Sequence, residues 1–360
     1  MDLDLLISEL VAGKTAALAR AISVVENARP GYERLLGEIH RSLGRARRIG
    51  ITGPPGAGKS TLVERLVAHY RSAGLKVAVV AVDPTSPFTG GALLGDRIRM
   101  ESIALDPNVY IRSMATRSSL GGLAMTTREV CDVLDAAGFD RIVVETVGVG
   151  QSELDVAKMA DSTVLALVPE SGDGIQTLKS GVMEVADIFV VNKADRPGAD
   201  KLRQEIEVTL GIRRGNAFRN VPAHHGRRVG EPARRRVLKP QQNNPSEPPS
   251  LGPSDGTAAW DQPVILTSAV KDEGIVDLAA ALDRHHEWLA SSGQLEQRRK
   301  RRLLERTREV VDRATRRWVW EETRAEQLIN ERLDEVSGGQ VSPYELAQDV
   351  LDELKQGEKI

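Results

Sequence analysis

Six short aliphatic runs, separated by stretches of helical character, constrain the fold of this 360-residue chain more than any other feature. They begin at Arg48 and are nearly continuous in Val, Ile and Ala, as a parallel sheet requires when helices cover both of its faces. The runs read RIGIT, KVAVVAV, RIVVET, STVLALV, DIFVVN and PVILTSA. The pattern predicts a doubly wound α/β fold with a mainly parallel sheet.

A glycine-rich stretch follows the first aliphatic run and opens a helical segment. It reads GPPGAGKST and matches Gly-x4-Gly-Lys-Ser. Such glycines let backbone N–H groups close around phosphates, the lysine can reach the β- and γ-phosphates, and the serine hydroxyl can bind Mg²⁺. The stretch therefore predicts a P-loop for a nucleoside triphosphate. The residues predicted to contact the nucleotide here are Gly53, Pro54, Pro55, Gly56, Ala57, Gly58, Lys59, Ser60 and Thr61.

Two short motifs follow later strands and indicate which base is bound: VVNKAD, and the TSA that ends the run PVILTSA, whose backbone could contact guanine. VVNKAD carries the Asn-Lys-x-Asp arrangement, in which the carboxylate of Asp195 can accept from both guanine N–H groups while the lysine stem covers the base. Adenine does not offer a carboxylate the same pair of donors, so the pattern favours GTP over ATP. The residues predicted to contact the base are Asn192, Lys193, Asp195, Thr267, Ser268 and Ala269.

Three acidic residues are candidates for the chemistry at the phosphates. The second aliphatic run follows a helical crossover, so it should be parallel to the first and should carry Asp83 to the sheet edge that holds the phosphates. Glu145 ends the run RIVVE, where it would lie across the Mg²⁺ from Ser60, bound directly or through water. Asp83 and Asp96 are candidates for the Mg²⁺ water shell or for positioning the attacking water.

The loop after Glu145 predicts slow hydrolysis. Val149 stands directly after Gly148, where a water-orienting glutamine is usual, and Gln151 comes two residues later. A rearrangement or a partner would have to supply that group.

The chain divides into three predicted regions. Residues 1–45 have apolar positions at helical spacing and form an N-terminal helical arm, residues 46–292 form the P-loop GTPase domain, and residues 293–360 form C-terminal helices. Ser342 is the predicted cap of the last helix. Residues 211–260 hold seven of the 17 prolines and nine Lys and Arg against three Asp and Glu. We interpret them as a flexible insertion, with a basic patch for an acidic partner as the alternative.

Composition limits the location and the partners. A formal net charge of −2 gives no whole-chain reason to expect a nucleic acid or a membrane surface. Cys131, the single cysteine, indicates a core thiol and a reducing compartment. The N-terminus is acidic where a signal peptide is basic, and no apolar run reaches membrane-spanning length. These features predict a cytoplasmic protein.

Several segments together resemble the G-protein chaperones of cobalamin-dependent acyl-CoA mutases, the MeaB/MMAA/ArgK group. They include GPPGAGKST, VDPTSPFTGGALLGDRIRM, VETVGVGQSE, GDGIQTLKSGVMEVADIFVVNKADR, TSAVKDEGI and SPYELA. The resemblance implies GTP hydrolysis, a homodimer formed through the C-terminal helices, and a partner such as methylmalonyl-CoA mutase, whose cofactor loading and protection the protein gates. It also implies that Gln176 and Lys179 belong to a switch that couples nucleotide state to the mutase. Catalytic and Mg²⁺ roles are implied for Lys59, Ser60, Asp83, Asp96 and Glu145.

Three rival functions remain open on the sequence. A nickel-type metallochaperone GTPase would need a thiolate or imidazole cluster, but His224-His225 and His285-His286 are the His pairs available, and solvated polar residues are their default interpretation. A P-loop kinase is disfavoured by the guanine motif. A nucleic-acid-binding protein could use RRKRR at residues 298–302, although apolar neighbours make a solvated face of a dimer arm the better interpretation.

Overall fold

The computed structural model describes residues 2–83, 100–115, 122–146, 152–169, 182–213 and 259–355. Within these residues, seven strands form one sheet. They are β1 (Arg47–Thr52), β2 (Val77–Asp83), β3 (Val109–Ala115), β4 (Arg141–Thr146), β5 (Ser162–Leu167), β6 (Ile188–Val191) and β7 (Val264–Leu266). The α-helices of the same residues are α1 (Leu3–Val11), α2 (Thr15–Glu26), α3 (Tyr32–Ile39), α4 (Lys59–Ser72), α5 (Glu101–Ala104), α6 (Gly122–Ala136), α7 (Ser152–Met159), α8 (Val182–Val185), α9 (Ala199–Arg213), α10 (Ile275–Ser291), α11 (Gln294–Arg317), α12 (Ala325–Glu331), α13 (Leu333–Ser337) and α14 (Pro343–Lys355). No helix in these ranges is both long and apolar enough to cross a membrane.

The strand order is β3-β2-β4-β1-β5-β6-β7, and every pairing is parallel. Parallel neighbours need crossover connections, which bring the carboxyl ends of all strands to one edge of the sheet. The predicted doubly wound α/β fold is therefore confirmed, including the parallel second strand. Because β1 lies between β4 and β5, the end of β4 reaches the P-loop from one side.

Strand β3 was not predicted from the sequence. Its residues, VYIRSMA, mix polar and apolar side chains instead of forming a continuous aliphatic run. The strand lies at the edge of the sheet, where it pairs only with β2, and its Arg112 contacts Glu26 of α2. An edge position tolerates such polar side chains, so the composition rule for central parallel strands does not detect this one.

Two apolar layers cover the sheet. On one face α6 packs against β2 and β4, and α7 packs against β1 and β4. Helices α2 and α3 pack on α6, and α1 packs on α2 and α3, so that Leu10 and Ile22 are fully buried in the same core. On the other face α4 and α10 pack against the central strands. Cys131 lies in the first layer, where burial raises the pKa of its thiol to about 12, which confirms the interpretation as a core thiol.

The C-terminal helices begin with the long helix α11, in which no residue is buried. A π-helical turn at Trp318–Glu322 ends it, and α12 and α14 then enclose a small core of Ala325, Leu346 and Val350. The predicted cap of α14 is confirmed. Ser342 Oγ accepts from the backbone N–H of Glu345 at 3.2 Å, and the Glu345 carboxylate accepts from the Ser342 N–H at 2.8 Å, which is a capping box.

Hydrogen bonds and aromatic contacts hold the chain in place just before β7. Trp260 donates from Nε1 to the carbonyl of Asp187 at 2.8 Å, and Gln262 donates to the carbonyl of Ala186 at 2.9 Å. The Trp260 ring packs on His285, with 4.7 Å between ring centroids. His285 is fully buried, and its Nδ1 lies 2.7 Å from Ser162 Oγ, so the expectation of a solvated His285 was wrong. His224 and His225 lie outside the described residues.

Candidate nucleotide site

The P-loop occupies residues 53–58, between the end of β1 and the first residue of α4. Gly58 has φ 79°, and a Cβ there would lie 2.5 Å from Asn192 Nδ2. At Gly53 a Cβ would lie 2.0 Å from the carbonyl oxygen of Ala166 on β5. Both contacts are too close for any side chain, so the loop can lie flat against β5 and Asn192 only with glycine at these positions. The 14-residue helix α4 begins directly behind it and directs its free N–H groups toward the loop.

Lys59 folds back over the P-loop. Its Nζ donates to the carbonyl oxygens of Gly53 at 2.9 Å and Pro54 at 3.0 Å, and the side chain is buried. The loop therefore holds an ammonium group inside the turn that would surround phosphates. This position is consistent with the predicted phosphate contact, which stays a prediction.

Ser60 and Glu145 meet at the carboxyl edge of the sheet. Ser60 Oγ donates to Glu145 Oε1 at 2.7 Å, and both residues are buried. The contact follows from the sheet order, since β4 lies beside β1 and Glu145 pairs with Ile51. The structure thus brings together two of the four predicted Mg²⁺ ligands, both with oxygen donors.

The structure describes only part of the remaining residues that are predicted to act at the phosphates or in the switch. Asp83 ends β2, one position beyond the pairing of Val82 with Thr146, so its backbone lies on the same edge as Glu145. Nothing is described of its side chain. Asp96, Gln176, Lys179 and the loop at residues 147–151 lie outside the described residues.

Asn192 links the P-loop to the end of the sheet. Its Nδ2 donates to the carbonyl of Ala57 at 2.8 Å, and its Oδ1 accepts from Thr267 Oγ1 at 3.1 Å and from the backbone N–H of Ala269 at 3.2 Å. One amide side chain therefore fixes the phosphate loop relative to the segment after β7. Asn192 therefore bridges three segments that are predicted to contact the nucleotide: the P-loop, the segment after β6 and the segment after β7.

A cavity of about 280 Å³ adjoins this bridge. Its lining combines predicted base-contacting residues with neighbours from the turn after β7. The lining residues are Gly58, Thr61, Asn192, Lys193, Asp195, Arg196, Ser268, Ala269, Val270 and Lys271. The residues predicted to contact the base did not include Arg196, Val270 or Lys271. Their place within GDGIQTLKSGVMEVADIFVVNKADR and TSAVKDEGI, two segments that carry the family resemblance, was the available signal.

The Asp195 carboxylate is held at the mouth of this cavity. It accepts from Ser268 Oγ at 3.1 Å, and Lys271 Nζ lies 3.7 Å from its other oxygen. The hydrogen bond from Ser268 holds the pKa of Asp195 below its usual range, and Lys271 acts in the same direction. Asp195 is therefore ionised at neutral pH and can accept two hydrogen bonds from a base.

A comparison with known protein families shows which family the chain belongs to. The sequence model described as "Methylmalonyl Co-A mutase-associated GTPase MeaB" matches residues 18–324. The chain belongs to the MeaB family of GTPases. The family resemblance inferred from the motifs is thereby confirmed.

Relatives and a solved structure agree with the MeaB assignment. A putative GTPase of Pyrococcus abyssi is 41% identical over 355 residues, which cover 99% of this chain and 98% of the relative. The GTPase ArgK of Escherichia coli K12 is 45% identical over 193 residues, 52% of this chain and 58% of the relative. The crystal structure of an LAO/AO transport system kinase covers 98% of this chain and 97% of its own, at 27% identity and a TM-score of 0.62.

Proposed function

We propose that this MeaB-family protein is a Mg²⁺-dependent, cytoplasmic GTPase that acts as a chaperone for a cobalamin-dependent acyl-CoA mutase, methylmalonyl-CoA mutase being the first candidate. In this proposal it gates cofactor loading and protects the mutase. The proposed partner is based on the family description, which names that mutase. The contact between Ser60 and Glu145 behind the P-loop carries the chemical part.

The residues present fit Mg²⁺. The Ser60 hydroxyl and the Glu145 carboxylate are hard oxygen donors in contact with each other, which is the donor chemistry that Mg²⁺ prefers. Asp83 and Asp96 are the further acids proposed for its water shell. When bound, the ion neutralises charge on the β- and γ-phosphate oxygens. Lys59 adds a protein cation at the same phosphates.

Guanine specificity is proposed to reside in Asp195. Its ionised carboxylate can accept from both N–H groups of guanine, whereas adenine presents one donor and an acceptor on that edge. Ser268 and Lys271 hold the carboxylate in place beside the cavity. The bridge made by Asn192 supports the base and phosphate contacts being formed together.

Slow intrinsic turnover and stimulation by the partner are further parts of the proposal. Val149 occupies the position after Gly148 where a glutamine would orient water, so we assign completion of the site to the mutase or to a rearrangement. Gln176 and Lys179 are proposed to couple nucleotide state to the mutase.

The homodimer is proposed to form through the C-terminal helices. Leu304, Val311 and Trp318 recur every seven residues along and just beyond α11 and are 53%, 55% and 44% exposed. Residues at this spacing share one side of a helix, and a second copy of the chain would cover them. This stripe supports a helix-to-helix contact between protomers.

The central experiment combines binding with turnover. The purified protein is mixed with methylmalonyl-CoA mutase in the presence of GDP or a non-hydrolysable GTP analogue, and complex formation is followed by size-exclusion chromatography with light scattering. We expect the complex to depend on the nucleotide and phosphate release from GTP to rise when the mutase is added. A mixture that neither associates nor changes the hydrolysis rate would contradict the chaperone role, while GTP hydrolysis by the protein alone would still support the GTPase assignment.

A further inference from the structure

Helix α11 is attached to the rest of the protein by arginines instead of apolar packing. No residue of this 24-residue helix is buried, yet its arginines bind acids from four separate elements. The pairs are Arg298 with Asp187, Arg299 and Arg302 with Asp161, Arg306 with Asp132, Arg313 with Glu129 and Arg317 with Glu33. The expectation that RRKRR forms a solvated face was therefore wrong for Arg298, Arg299 and Arg302.

Asp161 is the centre of this attachment. It lies between α7 and β5, and only 1% of its side chain is exposed. Its carboxylate contacts the guanidinium groups of Arg302 and Arg299, the latter at 3.1 Å, and also accepts from the backbone N–H of Arg48 at 3.1 Å. Burial works to raise the pKa of Asp161, but the guanidinium groups of Arg302 and Arg299 hold it well below its usual range.

Arg302 also binds the end of helix α7. Its Nη1 donates to the carbonyl oxygen of Met159, the last residue of α7, at 2.9 Å. A cation here satisfies a carbonyl that has no partner within the helix and interacts favourably with the helix dipole. Arg302 thus contacts both the last residue of α7 and the aspartate two residues later. Its side chain is 15% exposed, so water competes little for these contacts.

Helix α7 in turn fits closely against β1 and β4. A Cβ on Gly50 of β1 would lie 2.3 Å from Val156 Cγ1 and 3.1 Å from Ala160 Cβ, so the helix rests directly on the strand backbone. Gly50 pairs with Val144 of β4, and the next pair is Ile51 with Glu145. Close-packed interiors transmit displacements because they leave no free volume to absorb them. A shift of α7 would therefore move the strands that carry the P-loop and Glu145.

We propose that Arg302 is a positioning residue for GTP hydrolysis, which acts through α7 on the alignment of the P-loop with Glu145. This inference rests on the proposed GTPase function. Arg302 lies at the amino-terminal edge of the sheet, opposite the nucleotide site, and touches neither nucleotide nor metal. Through Arg302 and α7, helix α11 helps to position the carboxyl edge of the sheet, where the nucleotide site lies.

The test compares two arginines that attach the same helix at different places. Arg302→Gln breaks the contacts with α7, whereas Arg313→Gln removes the ion pair with Glu129 on α6 and leaves α7 in place. We expect R302Q to lower kcat for GTP by roughly 2- to 30-fold, the range found for changes along contact networks. KM for GTP should change less than kcat, because the residues proposed to contact the base follow β6 and β7 and only the phosphate contacts follow β1. R313Q should keep the wild-type kcat, and Arg302→Lys, which retains a charged donor, should recover part of the loss.

A second measurement separates this inference from the GTPase proposal. Hydrogen exchange in the nucleotide-free protein should accelerate at residues 49–52 and 155–161 in R302Q but not in R313Q, with thermal unfolding confirming that both variants are folded. Equal kcat in R302Q and R313Q, or unchanged exchange at residues 49–52, would overturn the positioning role. A wild-type protein that hydrolyses no GTP would overturn the proposed function instead, and hydrogen exchange alone would then decide whether Arg302 aligns the site.

Discussion

The Ser60 hydroxyl, in the first turn of α4, donates a 2.7 Å hydrogen bond to Oε1 of Glu145 on β4. The two residues are 85 positions apart in the chain, and they meet because β1, which leads into the P-loop and α4, lies beside β4. A glutamate at the end of β4 therefore reaches the P-loop serine directly. This contact supports the proposed role of Glu145 as the acid at this strand end.

Replacing Glu145 by glutamine should separate hydrolysis from nucleotide binding. The amide keeps the size of the side chain but removes the charge proposed for Mg²⁺, so Mg²⁺-dependent phosphate release should fall roughly 10- to 100-fold. GDP binding in EDTA should be retained. The matched control is Thr146→Val, the next residue of β4, whose hydroxyl bonds to Thr52 at 3.0 Å. Equal activity of E145Q and wild type across a Mg²⁺ titration would contradict the assignment.

Base selectivity should change with Asp195→Asn. An amide cannot accept from both guanine N–H groups, so GTP affinity should fall by about 10- to 100-fold, as expected for one or two charge-assisted hydrogen bonds. Xanthosine triphosphate, which offers a carbonyl in place of the exocyclic amine, should bind better than it does to wild type. Asp272→Asn is a suitable control because its φ of 61° is well tolerated by asparagine. Competition titrations with both nucleotides give the measurement. Unchanged selectivity in D195N would exclude Asp195 as the residue that recognises the base.

Two glycines of the P-loop allow steric fit to be separated from backbone strain. Gly56 and Gly58 have almost equal φ values of 77° and 79°, but a Cβ at Gly56 meets no atom within 4 Å whereas one at Gly58 meets Asn192. Both alanine variants should incur a strain of about 1–2 kcal/mol. Gly58→Ala should lose at least about 1 kcal/mol more of nucleotide binding, since Asn192 must move. Isothermal titration with GDP gives the comparison, and equal losses would argue against the Asn192 bridge.

The apolar stripe on α11 should control the oligomeric state. An α-helix turns by about 100° per residue, so Leu304 and Val311 lie on the side opposite Arg302 and Arg313, and an acid there leaves the attachment of the helix intact. We expect Val311→Asp to convert dimers to monomers in light-scattering measurements. Asp312→Lys reverses a charge about 100° around the helix and should leave the dimer in place. A protein that is monomeric before any substitution would contradict the proposed interface.

Low pH should weaken the attachment of α11 to the rest of the protein. The pKa of Asp161 is below its usual range in the folded protein, so the unfolded chain binds more protons, and the free energy of unfolding falls as pH drops below the ordinary Asp value of about 3.9. At neutral pH this contribution is complete. Asp161→Asn should cost roughly 3–5 kcal/mol at pH 7, because it removes a buried carboxylate and leaves two partly buried arginines, Arg299 and Arg302, without their acid. Urea midpoints between pH 3 and 7 should then depend less on pH than in wild type, and an unchanged slope would exclude Asp161 as a contributor.

The central sheet and the placement of Glu145 could be predicted because they follow from local rules. Continuous Val and Ile runs identify buried parallel strands, and a helical crossover fixes the direction of β2. The edge strand β3 was not predicted, because Arg112 and Ser113 interrupt its apolar pattern. Its position at the sheet edge explains these polar residues, and only the structure shows that position.

The environment of α11 could not be predicted for a different reason. A helical pattern shows which arginines share a side, but not which acids they meet. The acids lie in three separate parts of the chain: Asp132 in α6, Asp161 before β5 and Asp187 before β6. Only the completed sheet brings them beside the helix. His285 was misjudged in the same way, since its partners Ser162 and Asp187 lie about a hundred residues earlier in the chain.

Trp260 and Gln262 fix the chain just before β7. Both side chains donate to backbone carbonyls just before β6, and these contacts help to hold β7 in register beside β6. For an experimenter who inserts a reporter domain at residues 214–258, these two hydrogen bonds are the contacts to preserve.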